Sequence, residues 1–393
     1  MKTSAFLYPW DVVGDPDAAG RIAGLGVQQV TLASAYHSTR ALTPRHPTTR
    51  IVTAPYAAVL YPPDEKRWSG RERAPRVQNW TPGADPWAVA AEALADAGLQ
   101  VHSWVVLAHD SRTGEEFPGI SVVNAYGDRY PWAPCIGRAD VRAHLVELAA
   151  EAATRPGAAG TELESCGWYG FAHLHGHDKV QGVPLGEAAQ YLMSLCFCAE
   201  CAEGYTRHGL DPDGLRAAVR RALEPVWAGG GPGAAGWAGV EELLGAERAA
   251  ATLAWRREAA RTLQEAVVTA VREEAAAPGF QVLLHADPAF HRTGANVGVD
   301  PGHILSVADG VVLPCTGGDT AREAVLGPFG GRGGVVAANF GVVSGMGGSP
   351  TTLERDAAHA ASLGATELRL YHAGLASDAD LTAVSDALVR IAG

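Results

Sequence analysis

Three cysteines stand close together in the stretch LCFCAEC, at positions 196, 198 and 201. Their C-x-C-x-x-C spacing allows the thiolates to converge on one ion, and a tetrahedral zinc ion takes four such ligands. In a cytoplasmic chain, a cluster this tight favours metal binding over a disulfide framework. The spacing leaves the fourth ligand open, with Cys135 and Cys166 as the candidates.

Two glutamates stand two residues apart in the segment GTELESCGWYGFAHLHGHDK, which begins at Gly160. If GTELES is a strand, Glu162 and Glu164 point to the same side of it, because successive side chains alternate between the two faces. Their separation of roughly 6.6 Å along a strand also suits a pair of cooperating carboxylates. We predict that Glu164 is a general acid. Glu162 is then either a buried structural residue one layer deeper or the second catalytic carboxylate.

Further polar side chains fall at or just beyond the ends of predicted strands. Histidines and carboxylates brought together at such ends can hydrogen-bond sugar hydroxyls or hold a divalent metal ion. Asp287 in LLHADP and Asp110 in LAHDS are the best candidates for a second catalytic carboxylate. The other predicted substrate-binding residues of this kind are Asp11, His37, His109, His285 and His372.

Aromatic residues and a histidine-rich segment complete the candidate site. Trp10 and Trp168 follow the first and fourth predicted strands, where an indole ring can stack on a sugar. The segment HLHGHDK places His173, His175 and His177 at alternate positions, so an extended conformation would put all three on one face. We predict substrate binding by His173, with metal binding and a solvent-exposed loop as the alternatives for this segment.

Short apolar runs alternate with helical patterns along the chain. Several helical patterns end in glycine, which is typical of a helix C-terminus. Eight strand–helix units in 393 residues predict an α/β fold, a single (β/α)8 barrel domain over residues 1–393, with a doubly wound sheet as the alternative. The predicted strands are 4–10, 27–33, 100–108, 160–165, 280–286, 309–314, 333–340 and 366–372.

Two long segments depart from this alternation. Residues 34–85 follow the second strand and are rich in proline, arginine and aromatic residues, with a predicted hairpin in RIVTAPYAAVLYPP. Because the active site of a barrel lies at the carboxyl ends of its strands, this insertion is predicted to cover the catalytic face. The helical region 186–275 is predicted to be an extension after strand four.

Composition limits the classes of partner. The chain is 47% hydrophobic and carries a net charge of −12, which argues against nucleic acid or an anionic membrane as the main partner. No apolar run reaches transmembrane length. The start of the chain lacks the pattern of a signal peptide, because Pro9 and Asp11 interrupt it. We therefore expect a cytoplasmic protein, with a homo-oligomer left open.

The cysteines and the strand-four glutamate together resemble those of the family 42 glycoside hydrolases. The shared features are a cysteine in the pattern C-x-x-x-x-x-V-R, a glutamate that ends strand four, and C-x-C-x-x-C on the next helix, within about residues 124–210. The resemblance implies a (β/α)8 barrel, retaining β-galactosidase activity and a zinc site. The zinc ligands that it implies are Cys135, Cys196, Cys198 and Cys201, which leaves Cys166 out.

The chain departs from this family near both catalytic carboxylates. In the family, the acid/base glutamate of strand four usually follows an asparagine, whereas Leu163 takes that place here. The family nucleophile is a glutamate that ends strand seven, whereas VVAANFGVVSG contains no acid from Val335 to Gly345. The resemblance therefore leaves open whether the reaction retains or inverts configuration.

The sequence predicts a carbohydrate-active enzyme, a glycoside hydrolase in which Glu164 is the general acid. Its expected partner is a small-molecule carbohydrate or glycoside, and its expected cofactor is a structural zinc ion without an organic cofactor. One alternative is a metal-dependent sugar isomerase, epimerase or lyase that uses the strand-end histidines. The other alternative is a carbohydrate-binding barrel without hydrolytic activity, which the missing strand-seven glutamate suggests.

Overall fold

The structure is a computed structural model that describes residues 1–171, 178–180, 182–231 and 233–392. Its strands are β1 (Lys2–Leu7), β2 (Gln29–Tyr36), β3 (Thr39–Leu42), β4 (Ile51–Ala54), β5 (Ala58–Val59), β6 (Gln100–Val106), β7 (Ser121–Val123), β8 (Arg129–Pro134), β9 (Gly160–Glu164), β10 (Gln281–Asp287), β11 (Val297–Gly298), β12 (Gly310–Pro314), β13 (Val335–Gly341) and β14 (Glu367–Tyr371). Its α-helices are α1 (Ala18–Ala23), α2 (Glu65–Trp68), α3 (Pro86–Asp96), α4 (Ser111–Glu116), α5 (Ala139–Ala153), α6 (Glu187–Met193), α7 (Ala199–Arg207), α8 (Pro212–Trp227), α9 (Gly236–Leu244), α10 (Ala246–Glu274), α11 (Pro301–Val307), α12 (Asp319–Leu326), α13 (Leu353–Ser362) and α14 (Asp378–Ala392).

Eight of these strands form a closed parallel barrel. Around the barrel the order is β1, β2, β6, β9, β10, β12, β13 and β14, and β14 pairs again with β1. Closure is visible at Ser4 of β1, which lies opposite both Gln29 of β2 and Arg369 of β14. The eight predicted strands and the (β/α)8 fold are confirmed. The doubly wound alternative is wrong, because an open sheet would not join its first strand to its last.

The barrel strands are buried on both sides. Every residue of β2 and β9 is buried, as expected for parallel strands that face helices on one side and the barrel interior on the other. The first strand ends at Leu7 and not at the predicted position 10, because a 3-10 turn over Pro9–Asp11 follows it. Proline has no N–H to donate to a strand ladder, so the strand stops before it.

Side chains of the barrel also fix the surrounding helices, as α5 illustrates. Ser34 Oγ on β2 donates to the carbonyl oxygen of Ala152 at 2.8 Å, and Ser103 Oγ on β6 donates to that of Ala153 at 2.8 Å. These carbonyls belong to the last turn of α5, where no helical N–H is available to them. The sheet therefore caps the helix and sets its position.

The insertion after β2 reaches the carboxyl ends of the barrel strands. Its hairpin pairs β3 with β4, while β5 pairs antiparallel with the end of β2. The hairpin predicted within residues 50–63 is therefore wrong, because β4 and β5 each find a partner earlier in the chain. The Arg45 guanidinium donates to the carbonyl oxygens of Gly374 and Ala376 in the loop after β14, which ties the insertion to the barrel mouth.

The helical extension after strand four is confirmed as α6 to α10, between β9 and β10. Helix α8 begins with proline in its first turn, and the Asp211 side chain caps it by accepting a hydrogen bond from the Gly214 N–H at 2.8 Å. Among the described residues, none of the helices combines the length and apolar character needed to cross a membrane.

Candidate active site and cysteine centre

Glu164 ends β9 on the side of the barrel where barrel enzymes hold their active sites. Its side chain points into the interior and is 3% exposed. Glu164 Oε2 accepts one hydrogen bond from Trp104 Nε1 at 2.9 Å and another from the Tyr371 hydroxyl at 3.3 Å. The carboxyl group is thus held from β6 and from β14 by two donors that carry no charge.

The surroundings of Glu164 favour its protonated form. Burial raises the pKa of Glu164 to about 7, while the hydrogen bonds from Trp104 and Tyr371 oppose the rise. Neutral donors stabilise a carboxylate only in part, so the cost of desolvating its charge dominates. Near neutral pH a large share of the molecules therefore carries a proton that Glu164 can donate.

Glu162 lies on the same face of β9 in a different environment. Its side chain is fully buried, and Oε1 accepts hydrogen bonds from Arg369 Nε at 2.7 Å and from Thr31 Oγ1 at 3.1 Å. Arg369 also donates to Glu367 Oε2 at 2.8 Å. Burial raises the pKa of Glu162, and the Arg369 cation opposes the rise. Glu162 is therefore part of a buried ion-pair cluster.

His285 on β10 stands between the two glutamates. Its Nδ1 lies 3.9 Å from Glu164 Oε2, and its Nε2 lies 3.9 Å from Glu162 Oε2. Both separations exceed hydrogen-bonding distance. Burial and the Arg369 cation lower the pKa of His285 to about 3, so the ring is neutral. A neutral imidazole has one donor and one acceptor nitrogen, and His285 directs one nitrogen towards each carboxyl group.

His372 follows β14 in a left-handed backbone conformation, with φ at 61°. Its Nδ1 lies 3.0 Å from the Tyr8 hydroxyl, which donates to the Tyr36 hydroxyl at 2.9 Å. The His372 ring centroid is 5.9 Å from that of Trp104. Burial lowers the pKa of His372 to about 3. His372 is thus a neutral member of the aromatic layer that surrounds Glu164.

His37 and His109 meet at the ends of β2 and β6, with ring centroids 5.1 Å apart. His109 stacks on Tyr169 at 4.4 Å, and its Nδ1 lies 2.9 Å from the carbonyl oxygen of Trp132. Burial and the neighbouring Glu164 carboxylate raise the pKa of Tyr169. The structure therefore brings this pair of histidines to the same mouth as the predicted acid.

Two of the predicted strand-end aspartates are engaged by local backbone. Asp11 Oδ2 accepts a hydrogen bond from the Tyr8 N–H at 2.9 Å, and burial raises its pKa to about 7. Asp110 caps α4 by accepting a hydrogen bond from the Thr113 N–H at 3.0 Å. Burial raises the pKa of Asp110, and the bonds from Thr113 oppose the rise. Both carboxyl groups thus have structural partners.

Asp287 ends β10, the barrel strand next to that of Glu164. Its Oδ1 accepts a hydrogen bond from the Ala289 N–H at 2.8 Å, and its Oδ2 lies 3.7 Å from Arg292 Nε. Burial raises the pKa of Asp287, while these contacts oppose the rise. The arginine near Asp287 is half-exposed, whereas the arginine paired with Glu162 is fully buried. The two carboxylates therefore differ in their access to solvent.

The two predicted stacking tryptophans pack against protein groups. Trp10 is 3% exposed and stacks on Tyr8, with centroids 4.4 Å apart. Trp168 Nε1 donates to the carbonyl oxygen of Arg256 at 2.8 Å, and the Arg256 guanidinium lies 5.1 Å from the indole centroid. His173, like the rest of 172–177, lies outside the described residues.

Three interior residues were not among the predicted site residues, namely Trp104, Arg369 and Tyr371. One signal was available, because Arg369 and Tyr371 are two residues apart in ELRLY and so share a face, like Glu162 and Glu164. Their partners could not be deduced, since both bonds to the glutamates join residues 207 positions apart.

Strand β13 carries the amide Asn339 and has no carboxylate between Val335 and Gly341. Asn339 lies opposite Arg369 in the register, and Gly341 lies opposite Tyr371. Within the part of the chain that the structure describes, the buried Asn339 Oδ1 has no hydrogen-bond partner. The strand therefore presents an amide oxygen and a bare backbone to the site.

Four cysteines converge beside the barrel. The sulfur atoms of Cys135, Cys196, Cys198 and Cys201 all lie within 4.8 Å of one another. Cys135 Sγ is 3.5 Å from Cys201 Sγ and 3.7 Å from Cys198 Sγ. A tetrahedral zinc site with Zn–S bonds of about 2.3 Å has sulfur–sulfur edges of about 3.8 Å. The cluster could hold a metal ion, and it includes Cys135 and not Cys166.

The backbone around the cysteines fits this role. A Cβ atom at Gly137 would lie 2.8 Å from Cys201 Sγ and 3.4 Å from Cys135 Sγ, so the loop can pass this close only with glycine. The Val123 N–H points to Cys196 Sγ at 3.4 Å. Outer hydrogen bonds of this kind orient metal ligands, and a set of four thiolates suits a borderline metal such as zinc.

The strand-end histidines do not form a comparable group. Over 1–171, 178–180, 182–231 and 233–392, the four cysteines are the one set of three or more histidine, cysteine or carboxylate side chains with suitable geometry for a metal ion. His37, His109 and His372 instead contact tyrosine rings. His285 contacts Phe6 and lies 3.9 Å from each of the two glutamates.

The same barrel fold occurs in glycoside hydrolases of known structure. The glycoside hydrolase domain of PgaB (BpsB) from Bordetella bronchiseptica matches 98% of this chain and 98% of its own length, with a TM-score of 0.53 and 15% identity. A β-galactosidase from Marinomonas ef1 gives 0.57 at 11% identity over 99% of this chain. An α-L-fucosidase from Paenibacillus thiaminolyticus gives 0.57 at 12% identity over 100% of it.

Similarity at this level of identity shows a shared fold. This chain spans 49% of the length of the fucosidase and 59% of that of the Marinomonas enzyme. No family model matches the sequence. No curated protein matches it either. The chemistry must therefore be argued from the site itself.

Proposed function

We propose that the protein is a glycoside hydrolase that acts on a small carbohydrate or glycoside, with Glu164 as the general acid. The observation that carries this proposal is the burial of Glu164 at the barrel mouth between the neutral donors Trp104 and Tyr371. A carboxylic acid that stays protonated near neutral pH can transfer its proton to the leaving oxygen of a glycosidic bond. The structural neighbours, which include a fucosidase, a β-galactosidase and a glycoside hydrolase domain, support this reaction class.

We assign the second carboxylate to Asp287. Glu162 is unsuited because its charge is engaged by Arg369 and its side chain is fully buried. Asp287 lies on the adjacent strand and is 9% exposed, so a water molecule or a substrate can reach it more readily. Asp287 would then activate a water molecule or attack the anomeric carbon, and its distance to Glu164 with substrate bound decides between these roles.

Replacement of Glu164 by glutamine tests the acid role. The amide keeps the shape of the side chain but has no acidic proton, so we expect kcat to fall about 10²–10⁴-fold on an alkyl glycoside. An aryl glycoside with an acidic phenol needs little protonation and should be partly rescued. The measurement is kcat for both substrates, with circular dichroism as the folding control. Near-wild-type turnover of the alkyl glycoside would rule out Glu164 as the acid.

We further propose that the four cysteines hold one structural zinc ion. Their sulfur atoms are within 4.8 Å of one another, and they belong to the loop before α5 and to a second segment that runs into the first turn of α7. Zinc bound there would cross-link these two segments. Elemental analysis of protein purified without chelator should give about one zinc per chain, and Cys135→Ser should lower that content. Full-length folded protein without stoichiometric zinc would disprove the assignment.

A carbohydrate-binding barrel without hydrolytic activity is the second candidate. The observation that favours it is β13, where Asn339 and Gly341 occupy the strand end and no carboxylate is present between Val335 and Gly341. Binding of an oligosaccharide in calorimetry, combined with no turnover of any aryl glycoside by wild-type protein, would favour this candidate over hydrolysis.

A further inference from the structure

Three side chains at the barrel mouth, those of Tyr8, Tyr36 and His372, form a chain of hydrogen bonds. The Tyr8 hydroxyl donates to the Tyr36 hydroxyl at 2.9 Å, and it also lies 3.0 Å from His372 Nδ1. A phenol has one proton to donate. Because Tyr8 gives that proton to Tyr36, its bond with His372 requires a proton on Nδ1. The chain therefore runs in one direction, from the imidazole through Tyr8 to Tyr36.

The direction of this chain fixes the tautomer of His372. Burial lowers the pKa of His372 to about 3, so the ring is neutral and carries one proton. With that proton on Nδ1, the other nitrogen has a free lone pair and can only accept a hydrogen bond. The contact with Tyr8 thus sets the chemical character of Nε2, on the opposite edge of the ring.

The Nε2 atom of His372 is open to a ligand. Among the described residues it has no hydrogen-bond partner, and it is not enclosed by protein, unlike the unpartnered Nε2 of His285. The ring is partly exposed, whereas Tyr8, which holds its other edge, is 2% exposed. A hydroxyl group of a bound molecule can therefore take the place of solvent at this nitrogen.

The position of His372 connects this acceptor to the proposed acid. The preceding residue, Tyr371, donates to Glu164 at 3.3 Å, and its ring centroid is 3.8 Å from that of His372. Trp104, the other donor to Glu164, has its ring centroid 5.9 Å from that of His372. A sugar whose glycosidic oxygen contacts Glu164 would therefore carry ring hydroxyls close to His372.

The backbone of His372 has the character of a functional position. Its φ of 61° lies in the left-handed region, which is unfavourable for a residue with a side chain. In the described part of the chain, Ser165 is the one other residue besides glycine with positive φ. These two residues directly follow β14 and β9, the strands that carry Tyr371 and Glu164. Strained residues of this kind cluster at active sites, where they aim a side chain.

We propose that His372 is a specificity-determining residue whose Nε2 accepts a hydrogen bond from one hydroxyl of the bound sugar, and that Tyr8 is the positioning residue that fixes this role. The assignment rests on the proposed hydrolase function. A nitrogen that can only accept selects a free hydroxyl at one ring position, because a deoxy or O-methyl sugar has no proton to donate there.

Nitrogen-15 NMR of the full chain tests the tautomer without requiring turnover. We expect the His372 signals, identified by their loss in His372→Asn, to show a protonated Nδ1 and an unprotonated Nε2 at pH 7. Tyr36→Phe removes the acceptor of the Tyr8 proton, so Tyr8 should donate to Nδ1 and the imidazole proton should move to Nε2. Tyr61→Phe is the matched control, because it removes a buried phenol hydroxyl that contacts Glu151. A protonated Nε2 in wild type, or the same tautomer in Tyr36→Phe as in the control, would overturn the proposal.

Kinetics test the selection of a hydroxyl. The substrate is the 4-nitrophenyl glycoside that wild-type protein hydrolyses fastest in a panel with the β-galactoside, the β-glucoside and the α-fucoside. We expect wild-type kcat/KM to fall about 10–100-fold when one particular ring hydroxyl is replaced by hydrogen. In His372→Asn the deoxy and parent glycosides should react at nearly equal rates. Asparagine tolerates the left-handed backbone and can still donate to Tyr8, but it has no atom at the position of Nε2.

The two experiments separate failure of this inference from failure of the hydrolase function. An unchanged hydroxyl preference in His372→Asn would overturn the specificity assignment while hydrolysis stands. Failure of wild-type protein to hydrolyse any glycoside would overturn the hydrolase function, and with it this assignment. The NMR measurement would still decide whether Tyr8 holds Nε2 as an acceptor.

Discussion

Glu162 and Glu164 belong to the same strand and point to the same side, yet their surroundings give them different properties. Glu162 lies in a layer with a fixed cation, Arg369, at 2.7 Å. Glu164 lies one layer nearer the mouth, among neutral aromatic donors. We call the layer of Glu162 the lower layer and that of Glu164 the upper layer. A buried carboxylate beside a cation keeps its charge, whereas one beside neutral groups tends to hold its proton. The difference separates a structural glutamate from a chemically usable one.

A neighbouring strand, and not β9 itself, gives the two glutamates their different surroundings. Leu163 faces the helices between the two glutamates, so nothing on β9 itself distinguishes them. The distinction comes from β14, which places Arg369 beside Glu162 and Tyr371 beside Glu164. One strand therefore supplies both the cation for the lower layer and the neutral donor for the upper layer.

The largest expected effect comes from Arg369→Leu, which removes the cation from the lower layer. Glu162 and Glu367 would then lose their buried partner, and we expect the free energy of unfolding to fall by about 3–5 kcal/mol. Urea denaturation at pH 7 measures the change. Arg355→Leu is the control, because the Arg355 side chain is 71% exposed and should matter little. Similar stabilities for the two variants would contradict the assignment of a buried ion-pair cluster.

In the upper layer, we expect Glu164→Gln to stabilise the protein, whereas Arg369→Leu in the lower layer destabilises it. The pKa of Glu164 is raised from 4.5 to about 7 in the folded protein, so its favourable contribution is complete below pH 4.5 and is lost as the pH rises towards 7. A neutral amide has no charge to desolvate, so the variant does not lose this stability as the pH rises. We therefore expect Glu164→Gln to match wild type near pH 4 and to be more stable by about 2–4 kcal/mol at pH 8.

Glu162→Gln provides the matched control for that experiment. Its amide leaves Arg369 with a weaker partner, so this variant should be less stable than wild type at pH 8. Denaturation curves for both variants at pH 4, 6 and 8 make the comparison. A parallel response of the two variants to pH would mean that the layers do not differ electrostatically.

Tyr371→Phe should give the smallest effect and sharpen the account of the upper layer. The Tyr371 hydroxyl donates to Glu164 and so stabilises the carboxylate form. Its removal should raise the pKa of Glu164 further and move the alkaline limb of kcat/KM to higher pH, by less than about one pH unit. The carboxyl band of Glu164 in infrared titration gives the same pKa without turnover. A shift to lower pH would contradict the assigned direction of the hydrogen bond.

Sequence analysis recovered the strands and three of the four clustered cysteines from local signatures, whereas the fourth, Cys135, came from the family resemblance. Apolar runs bounded by turn residues marked the eight strands, and the C-x-C-x-x-C spacing marked the segment that supplies three of the clustered cysteines. The same reasoning placed the hairpin of the insertion incorrectly. Residues 51–54 and 58–59 both have strand character, and their partners at 39–42 and on β2 were not visible in the segment itself.

The sequence by itself determined that Glu162 and Glu164 share a face and that Glu164 is nearer the strand end, because side-chain alternation is a property of any strand. It also determined that strand seven lacks a carboxylate. Only the tertiary structure decided which glutamate has a cation and which has neutral donors. The deciding residues, Arg369 and Tyr371, are separated from them by 207 positions. A pKa depends on neighbours in space, and closure of the barrel sets those neighbours.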